Sequence, residues 1–437
     1  MIKVLTCNSI DSRGQGILYH EGTKGYFRDI LIGETFECDI NNNQINIIKR
    51  ITDSPERVVP FCPYYDKCGG CQLQAISYQA QIDYKKEVIR KELSKYKINT
   101  TINDTVASDN PKHYRTKLLT TYSKNKKNQL IAGFYEENTH KLINVTDCPI
   151  QNKLGNKTLK LINSLLIKHK IEAYDEDRRT GVIRHLLIRV GIHTDEVLVC
   201  FVIGSEVFPG INNILKELKK QPNIKSVYLN YNNRKTSAVL GNKFKLLYGK
   251  KTITDTLLGL NYNIGPDTFY QVNPHQTEKL YQIAVEKLDL NEKDVLLDCY
   301  SGIGTIALTA AKYAKEVIGV ELNQNSVTMA NENKRLNNIN NATFIVKDAK
   351  EFILQNNQRF NKLIVDPPRL GLDKAFIDAI NKMKPEKIVY VSCNPITLAR
   401  DLDLFKINYN IEIVTPVDMF SQTYHVESVT LLSLKTA

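Results

Sequence analysis

The sequence predicts an α/β protein in which a small β-barrel and a central α+β region precede a doubly wound parallel sheet. From about residue 256, apolar strand-like segments alternate with helix-like segments to the C-terminus, a pattern typical of a parallel sheet. The N-terminal region consists of short alternating segments separated by glycines, which favours a barrel. The stretch between them mixes both types of element. We therefore divide the chain into domains 1–54, 55–255 and 256–437.

The first domain contains GQGILYHEGTKGYFRDILIGETFECDI, with glycines at barrel-like spacing. The proline-rich segment ITDSPERVVPFCP then reads as a linker. In the second domain, YQAQIDYKKEVIRKELSKY predicts an amphipathic helix with Ile82, Val88, Ile89 and Leu93 on one face and lysines on the other. Further strands are predicted at TKLLTTYS, EVLVCFVIG, SVYLNYN and SAVLG, and a helix around KTLKLINSLLIKHK.

In the third domain the predicted strands are DVLLDCY, EVIGVEL, ATFIVKDA, KLIVDPP and PEKIVYVS, and the predicted helices include TIALTAAKYA and VTMANENKRLNN. A strand followed by a helix in this repeated order is the unit from which a parallel sheet is built. Ligands of such sheets bind outside the carboxyl ends of the strands.

Composition limits the possible classes of function. The 437 residues are 42% apolar and 24% charged, which is ordinary for a globular protein. We find no signal peptide and no apolar run of membrane-spanning length, so we expect a cytoplasmic protein, a monomer by default, with no membrane partner. The net charge of +12 suggests a polyanionic partner such as nucleic acid.

Nine unevenly spaced cysteines in a reducing compartment argue for metal binding or catalysis and against a disulfide framework. FCPYYDKCGGCQ gives Cys62, Cys68 and Cys71, and Cys148 in VTDCPI is the natural fourth ligand. From the spacing alone, four thiolates suit either zinc or a four-iron cluster. We interpret the remaining cysteines outside the catalytic region as structural: Cys7, Cys38, Cys200 and Cys299.

The segment LLDCYSGIGTIALTAAKYAKEVIGVELN predicts a cofactor site. Gly302 and Gly304 lie in a turn that opens a helix, and Glu321 ends the next strand, where an acid can bind a ribose diol. The third glycine of a dinucleotide fingerprint is absent, and Asp298 beside the turn does not suit a pyrophosphate. We therefore favour S-adenosylmethionine, which is cationic, over NAD. Asp348 could meet the adenine edge or cap a helix.

Two later strand ends carry candidate reactive residues. Asp366 precedes Pro367 and Pro368, which fix a rigid turn, and Arg369 follows them. Cys393 lies at the mouth of the strand PEKIVYVS, before the helix TLARDL, whose N-terminus favours a thiolate. Cys393 is thus either a nucleophile or a small buried apolar side chain.

Carbon-5 of a pyrimidine is a poor nucleophile, so its methylation requires an enzyme nucleophile such as a cysteine thiolate to activate the ring. A thiolate adds to carbon-6, carbon-5 accepts the methyl group, and a base then removes the carbon-5 proton. Cys393 supplies the thiol, and Glu427 in the tail DMFSQTYHVESVTLLSL could supply the base if burial raises its pKa. The alternative for Glu427 is a solvated acid at a strand edge.

Five motifs follow one another along the chain: FYQVNPHQTEKLY, DCYSGIGT, VDPPRLGLD, VSCNPITLARDL and DMFSQTYHVES. These motifs, which occur in the family's order, carry a resemblance: the chain resembles the RNA 5-methyluridine methyltransferases over nearly its whole length. The resemblance implies a class I (Rossmann-like) methyltransferase domain. It implies Cys393 as nucleophile, Glu427 as general base, and a cofactor and base pocket lined by Gln271, Tyr300, Glu321 and Asp366. The family often has Cys-Gly where this chain has Tyr300-Ser301-Gly302.

The resemblance also implies a [4Fe-4S] cluster on the four cysteines and 23S rRNA as the RNA partner. The N-terminal barrel is similar to a TRAM domain, an OB-like RNA-binding module. Candidate phosphate contacts are Lys112, Arg115 and Lys117. Three alternatives remain open: the same chemistry on the tRNA T-loop, a non-catalytic iron–sulfur RNA-binding protein or redox sensor, and cytosine methylation. The last usually has a second cysteine after the Asp-Pro-Pro region, where this chain has Arg369 and Leu370.

Overall fold

The structure, a computed structural model, describes residues 1–234, 238–355 and 359–436. The N-terminal β domain consists of β1 (Ile2–Thr6), β2 (Ser9–Ile10), β3 (Gly16–His20), β4 (Thr23–Phe27), β5 (Thr35–Asn41) and β6 (Gln44–Thr52). The strands form two antiparallel sheets, β1-β5-β6 and β2-β3-β4. Leu18, Phe36 and Ile45 are buried in one small core that strands of both sheets share, and the predicted N-terminal β domain is confirmed.

The middle of the chain forms the following elements: α1 (Tyr78–Lys95), β7 (Thr101–Ile102), β8 (Lys117–Lys124), β9 (Leu130–Tyr135), β10 (Leu142–Asn144), α2 (Lys153–Lys168), β11 (Ile183–Val190), β12 (Val197–Ile203), α3 (Ile211–Leu218), β13 (Ile224–Tyr231) and β14 (Lys243–Gly249). Among the described residues, seven strands form a central sheet in the order β10-β9-β8-β11-β12-β13-β14. Helices α2 and α3 pack on one face of it. Side chains such as Leu187, Cys200 and Tyr228 on the other face join the core of the C-terminal domain.

The C-terminal part contains β15 (Ile253–Leu257), β16 (Leu260–Ile264), α4 (Pro274–Leu288), β17 (Val295–Cys299), α5 (Thr305–Ala311), β18 (Glu316–Glu321), α6 (Gln324–Leu336), β19 (Ala342–Val346), α7 (Ala349–Gln355), β20 (Lys362–Val365), α8 (Lys374–Met383), β21 (Lys387–Ser392), α9 (Pro395–Phe405), β22 (Tyr409–Val417) and β23 (Glu427–Leu434). In the described part of the chain, eight strands form one sheet in the order β19-β18-β17-β20-β21-β23-β22-β7. Helices α4, α5 and α6 cover one face, and α1, α7, α8 and α9 cover the other.

The order of these strands places the ligand-binding edge. The chain runs outward from β17 through β18 to β19, and then returns to add β20 and β21 on the opposite side of β17. These five strands are parallel, so their carboxyl ends lie along one edge. The crevice between β17 and β20 is a topological switch point, where open α/β sheets bind ligands. The predicted α/β class, with its doubly wound sheet, is confirmed.

Helix α1 and strand β7 pack with a different domain from the one to which the sequence boundaries assign them. Both lie within 55–255, yet α1 packs on α9 and β22, and β7 pairs with β22. The four apolar residues predicted to share a face of α1 are buried. Lys85 does not follow the prediction that the lysines face solvent, because it is completely buried. An amphipathic pattern shows that a helix covers a core, but not which core.

The described part of the predicted strand SAVLG, residues 238–241, is not a strand: Val239 and Leu240 form a bend, and Ser237 lies outside the described residues. The side chain of Asn232 donates hydrogen bonds to the carbonyls of Ala238 (2.7 Å) and Val239 (2.9 Å), which fixes this bend before β14. Within the described ranges, none of the helices is both long enough and apolar enough to traverse a bilayer.

Candidate active site

The candidate site lies at the carboxyl edge of the C-terminal sheet. Asp298 is near the end of β17, Glu321 ends β18, Asp366 directly follows β20, and Cys393 directly follows β21. Parallel pairing of these strands brings all four residues to the same edge. Four residues separated by up to 95 positions in the sequence thus line one crevice, as their strand-end positions predict.

Glu427 reaches Cys393 through an antiparallel pair of strands. Ser392 at the end of β21 pairs with Ser428 near the start of β23, so Cys393, just beyond β21, lies next to Glu427, the first residue of β23. Glu427 is 3% exposed, which excludes the alternative of a solvated strand-edge acid. The structure therefore brings together the two residues that the sequence analysis proposed as nucleophile and base.

Burial dominates the electrostatics of this edge. It raises the pKa of Glu427 well above its usual range, and the charge of Asp366 adds to the effect. Burial also raises the pKa of Asp366 to about 7. The pKa of the Cys393 thiol rises to about 12 through burial and the charges of Glu427 and Asp366, which Arg369 partly opposes. These effects on the pKa outweigh the stabilisation of a thiolate by the helix N-terminus. The resting site therefore holds a neutral thiol beside carboxyl groups that bind protons readily.

The turn after Asp366 is fastened to the loop of Cys393. The carbonyl of Arg369 accepts hydrogen bonds from the side chains of Asn394 (2.9 Å) and Thr397 (3.3 Å). Asn394 also caps α9 by accepting from the amide of Ile396. The Arg369 guanidinium lies 3.3 Å from the ring nitrogens of His425. Burial, with Arg369 nearby, lowers the pKa of His425 to about 4, so its imidazole is neutral.

A cavity of about 180 Å³ opens directly on Cys393. Arg369, Tyr424 and His425 line it from the C-terminal domain, and Ser12 and Arg13 line it from the loop after β2 in the N-terminal domain. Access to the thiol is therefore shared between the first and last domains, an arrangement that no local sequence pattern indicates.

The turn after β17 is shaped for a ligand. Gly302 (φ +56°) and Gly304 (φ +84°) have left-handed backbone conformations, and a Cβ on Gly302 would point into open space. Asp298 is completely buried, and neither of its carboxylate oxygens has a hydrogen-bond partner among the described residues. Burial and the charges of Asp366 and Glu321 raise its pKa well above the usual range. Three neighbouring acids around an open turn suit a cationic ligand such as S-adenosylmethionine better than a pyrophosphate.

The other predicted cofactor residues surround this turn. Glu321 accepts hydrogen bonds from the amides of Gly302 (3.1 Å) and Asn323 (2.8 Å), so it also holds the turn itself. Tyr300 adopts a left-handed conformation (φ +67°), and its ring lies 6.4 Å from that of Phe376.

Gln271 is buried just before α4, and it is hydrogen-bonded to Tyr281. Burial raises the pKa of Tyr281, and the charges of Asp366 and Asp298 add to the effect, which places Gln271 in the same neighbourhood as both acids. Asp348 caps α7 by accepting from the amide of Glu351 (3.0 Å), in agreement with the helix-cap alternative.

The four predicted metal ligands also converge. Cys62, Cys68, Cys71 and Cys148 line one cavity of about 310 Å³. Burial raises the pKa of the Cys71 thiol to about 12, and the other three sulfurs contribute to that shift. In the described part of the chain, no three of these sulfurs lie within 4.8 Å of one another. Tetrahedral zinc would hold them about 3.8 Å apart, given Zn–S bonds of about 2.3 Å, so the cavity is wide for one zinc ion.

The cysteine loop connects this cavity to both neighbouring domains. Arg28 lies in the turn after β4. Its guanidinium donates hydrogen bonds to the carbonyls of Tyr65 (2.7 Å), Cys68 (3.0 Å) and Cys71 (3.0 Å). The amides of Gln72 (3.1 Å) and Leu73 (3.0 Å) donate to the carbonyl of Gln422. Gln422 precedes Glu427 by five residues, so the cysteine loop supports the segment that carries the candidate base.

The remaining cysteines and the candidate phosphate contacts can now be placed. Cys7, Cys38, Cys200 and Cys299 are buried and unpaired, as expected of structural residues. Lys112 is exposed and lies 4.2 Å from the centre of the Phe61 ring. Arg115 lines the cysteine cavity. Burial lowers the pKa of Lys117 to about 8, so Lys112 is the most accessible of the three cations predicted to contact RNA.

Sequence reasoning missed a buried ion pair that supports the segment before Glu427. Lys85 of α1 contacts the carboxylate of Asp418 and donates to the carbonyl of Phe420 (3.0 Å). Tyr78 (2.6 Å) and Ser421 (2.5 Å) also donate to Asp418. Lys85 and Asp418 are 333 residues apart in the chain, and no signal in the sequence could have paired them.

Comparison with known proteins finds similar RNA methyltransferases. A family model described as tRNA (Uracil-5-)-methyltransferase matches residues 77–435. An uncharacterized RNA methyltransferase of Staphylococcus aureus (strain N315) is 39% identical over 445 residues, covering 99% of this chain and 98% of that protein. One from Staphylococcus epidermidis (strain ATCC 12228 / FDA PCI 1200) is 40% identical over 398 residues, covering 89% of this chain and 87% of that protein.

A solved structure is also similar over nearly the whole chain. It is the crystal structure of Pyrococcus abyssi tRNA (uracil-54, C5)-methyltransferase in complex with S-adenosyl-L-homocysteine. The TM-score is 0.79 at 28% identity, and the match covers 98% of each chain. The similarity therefore extends over the N-terminal, central and C-terminal parts.

Proposed function

This chain belongs to the tRNA (uracil-5-)-methyltransferase family, and from that premise we propose that it methylates carbon-5 of uridine in 23S rRNA through a covalent cysteine–uracil intermediate. The observation that carries the proposal is the meeting of Cys393 and buried Glu427 at the edge of the sheet where the cofactor turn lies. A binding protein or redox sensor needs neither a thiol nor a proton acceptor at that place.

Cys393 is the proposed nucleophile. Its thiol gives up a proton to the neighbouring carboxylate of Asp366 as the sulfur forms a bond to carbon-6 of the uracil. The electron pair of the C5–C6 double bond moves toward carbon-5 and the carbonyl at carbon-4. Because the thiol's pKa is about 12 in the resting site, free thiolate is scarce at neutral pH. Attack is therefore favoured only when a bound substrate and a proton-accepting carboxylate are present, which protects the thiol from unwanted reactions.

Glu427 is the proposed general base. After methyl transfer, carbon-5 carries both the methyl group and its original proton. Glu427 removes that proton, the C5–C6 double bond re-forms, and the sulfur of Cys393 leaves as the thiolate. A carboxylate whose pKa is raised by burial is a stronger base than a solvated one, which suits abstraction from carbon.

S-adenosylmethionine supplies the methyl group when it is bound. We propose that Gln271, Tyr300, Glu321 and Asp366 line its site, and we add Asp298. The unpartnered carboxylate of Asp298 and the open space at Gly302 support this assignment. A cationic ligand would offset the unfavourable burial of these neighbouring acids.

We further propose that Cys62, Cys68, Cys71 and Cys148 hold a [4Fe-4S] cluster. The wide separation of the sulfurs and the cavity of about 310 Å³ favour a cluster over a single zinc ion. Methyl transfer is redox-neutral, so the proposed role is structural: the cluster fixes the loop that contacts Arg28 and Gln422. Together with the resemblance to ribosomal members of the family, the cysteines are our reason for favouring 23S rRNA.

RNA binding is proposed to involve the N-terminal β domain, in the manner of a TRAM domain. Arg13 of that domain is exposed and lines the cavity at Cys393, and Lys112 in the central domain is also exposed. The target uridine must leave its stack to reach Cys393, at a cost of a few kcal/mol. Contacts between these cations and RNA phosphates would offset part of that cost.

Transfer of labelled methyl groups tests the target. The purified protein, with its cluster, is incubated with labelled S-adenosylmethionine and either a 23S rRNA or a tRNA transcript. We expect incorporation into 23S rRNA as 5-methyluridine and none with Cys393→Ser. RNA containing 5-fluorouridine should be trapped as a covalent adduct, because fluorine cannot be removed as a proton. A folded, cofactor-binding protein that neither methylates nor traps RNA would overturn the proposal.

The second candidate is the same reaction on the T-loop of tRNA. The similar Pyrococcus abyssi enzyme is a tRNA (uracil-54, C5)-methyltransferase, which favours this candidate. Incorporation into tRNA but not 23S rRNA, with the label lost when the T-loop uridine is replaced, would select it. Mapping 5-methyluridine in rRNA from a strain without this protein gives an independent answer.

A further inference from the structure

Two histidines and a glutamate form a group of potential metal ligands far from the cysteine loop in sequence. His193 lies in the loop between β11 and β12, and His275 and Glu278 lie in the first turns of α4. One ligand atom from each of the three lies within 4.8 Å of the other two. The spacing of His275 and Glu278 by three residues puts both on the same face of the helix.

A buried carboxylate orients the first of these ligands. Asp255 of β15 is completely buried. Its Oδ1 accepts a hydrogen bond from the backbone amide of His193 (3.0 Å) and lies 3.3 Å from Nδ1 of the same ring. Its Oδ2 has no hydrogen-bond partner among the described residues. A carboxylate that holds one ring nitrogen as a donor leaves the other with a free lone pair, as in many carboxylate–histidine–metal arrangements.

The neighbouring charges are compatible with a cation. Lys279 follows Glu278, but its ammonium group is bound by the carboxylate of Asp109 (2.8 Å) and the carbonyl of Ala107 (3.2 Å). Glu278 accepts from the amide of Leu258 (3.0 Å) through Oε1, which orients its carboxylate. His193 and His275 are exposed, so a metal ion can enter from solvent.

We propose that His193, His275 and Glu278 bind one Zn²⁺ ion, with Asp255 as the residue that positions His193. Two imidazoles, one carboxylate and a water molecule are a common ligand set for Zn²⁺, whereas Mg²⁺ and Ca²⁺ prefer oxygen ligands alone. The ion links a loop of the central sheet to α4, the helix that begins three residues after Gln271. Zinc thereby fixes the central domain against the part of the C-terminal domain next to the cofactor turn.

The test measures metal stoichiometry on the cluster-containing protein, so that the four cysteines are not free to bind zinc. After equilibrium dialysis against micromolar Zn²⁺, we expect one zinc per chain beyond any in a metal-free control, and no competition from millimolar Mg²⁺. His193→Ala and Glu278→Gln should lose that zinc. His140→Ala, which removes an exposed histidine elsewhere, should retain it.

A fourth variant tests the positioning role. Asp255→Asn keeps the three ligands and should weaken zinc binding roughly ten- to a hundredfold. Circular dichroism and iron content confirm that each variant is folded and carries its cluster. Should His193→Ala fail to fold, Glu278→Gln on the helix surface decides the outcome. Absence of the additional zinc in the parent protein, or zinc retained by folded Glu278→Gln and His193→Ala at the parent affinity, overturns the proposal.

Discussion

Replacement of Glu427 by glutamine is the sharpest test of the proposed chemistry. The side chain is 3% exposed, and burial raises its pKa well above the usual range. Burial thus disfavours the charged form of the carboxyl, and a neutral amide of nearly the same shape should change the free energy of unfolding by less than about 1 kcal/mol. The fold and the cofactor site should remain intact.

The effect on turnover should be large. General-base catalysis contributes roughly 10²- to 10⁴-fold in rate, which corresponds to about 3 to 5 kcal/mol in the activation free energy. Without the base, attack by Cys393 and methyl transfer still proceed, but the carbon-5 proton is not removed. The thioether between protein and RNA should therefore accumulate on ordinary uridine substrate.

The assay follows both species with end-labelled RNA. A denaturing gel separates free RNA from the protein–RNA adduct, and nucleoside analysis measures released 5-methyluridine. Glu412→Gln is the control, since Glu412 is an exposed acid on the adjacent strand β22. Release of 5-methyluridine by Glu427→Gln within threefold of the parent rate, with no adduct, would refute the assignment of Glu427 as the base.

Four further predictions concern Asp366, the buried ion pair of Lys85 and the cysteine loop. Asp366→Asn removes a charge that raises the Cys393 pKa, so iodoacetamide should label Cys393 faster at pH 8, about tenfold for each pKa unit; equal or slower labelling in peptide mass spectra contradicts this. Burial raises the pKa of Asp366 to about 7, above about 3.9 in the unfolded chain, so this group should lower the parent's free energy of unfolding by at most about 4 kcal/mol as pH rises from about 4 to 7. In urea titrations Asp366→Asn should show a smaller fall than the parent, and some fall should remain because the pKa values of Glu427 and Asp298 are raised as well. Lys85→Met leaves the buried carboxylate of Asp418 without its cation and should lower the free energy of unfolding in urea by about 3 to 5 kcal/mol. Adding Asp418→Asn should restore most of that loss, whereas an unchanged urea midpoint for Lys85→Met alone counts against the buried pair. Cys68→Ser should lower the iron content and RNA affinity, and full folding together with full RNA affinity in filter binding would rule out a structural role for the cluster.

Much of the site could be predicted because the end of a strand is visible in the few residues around it. Cys393 follows an uncharged apolar strand and precedes a capped helix, and Asp366 follows another strand before two prolines. Parallel strands place their carboxyl ends at one edge, so recognising each strand was sufficient to group these residues. Gln271 had no such signal, since it precedes a helix in an ordinary way, and it entered only through the resemblance.

Other features could not be predicted because they depend on which surfaces meet. Lys85 has the sequence context of a solvated lysine, yet α1 packs where Asp418 can pair with it. Arg13 is an exposed residue of a turn, yet the N-terminal domain brings it to the cavity of Cys393. In both cases the partner lies in a distant part of the chain, and the local pattern contains no information about it.

The amino-acid sequence alone determined the parallel sheet, the cofactor turn, the cysteine at a strand mouth and the set of four clustered thiols, because periodicity, glycine placement and spacing are local properties. Tertiary packing alone decided that Glu427 is buried rather than solvated, that the Cys393 thiol is neutral at rest, and that the cysteine loop contacts the segment before Glu427. The protonation of Cys393 and Glu427 depends on their dielectric surroundings, and the support of the loop depends on contacts between residues far apart in the chain. Both exist only once the domains have packed together.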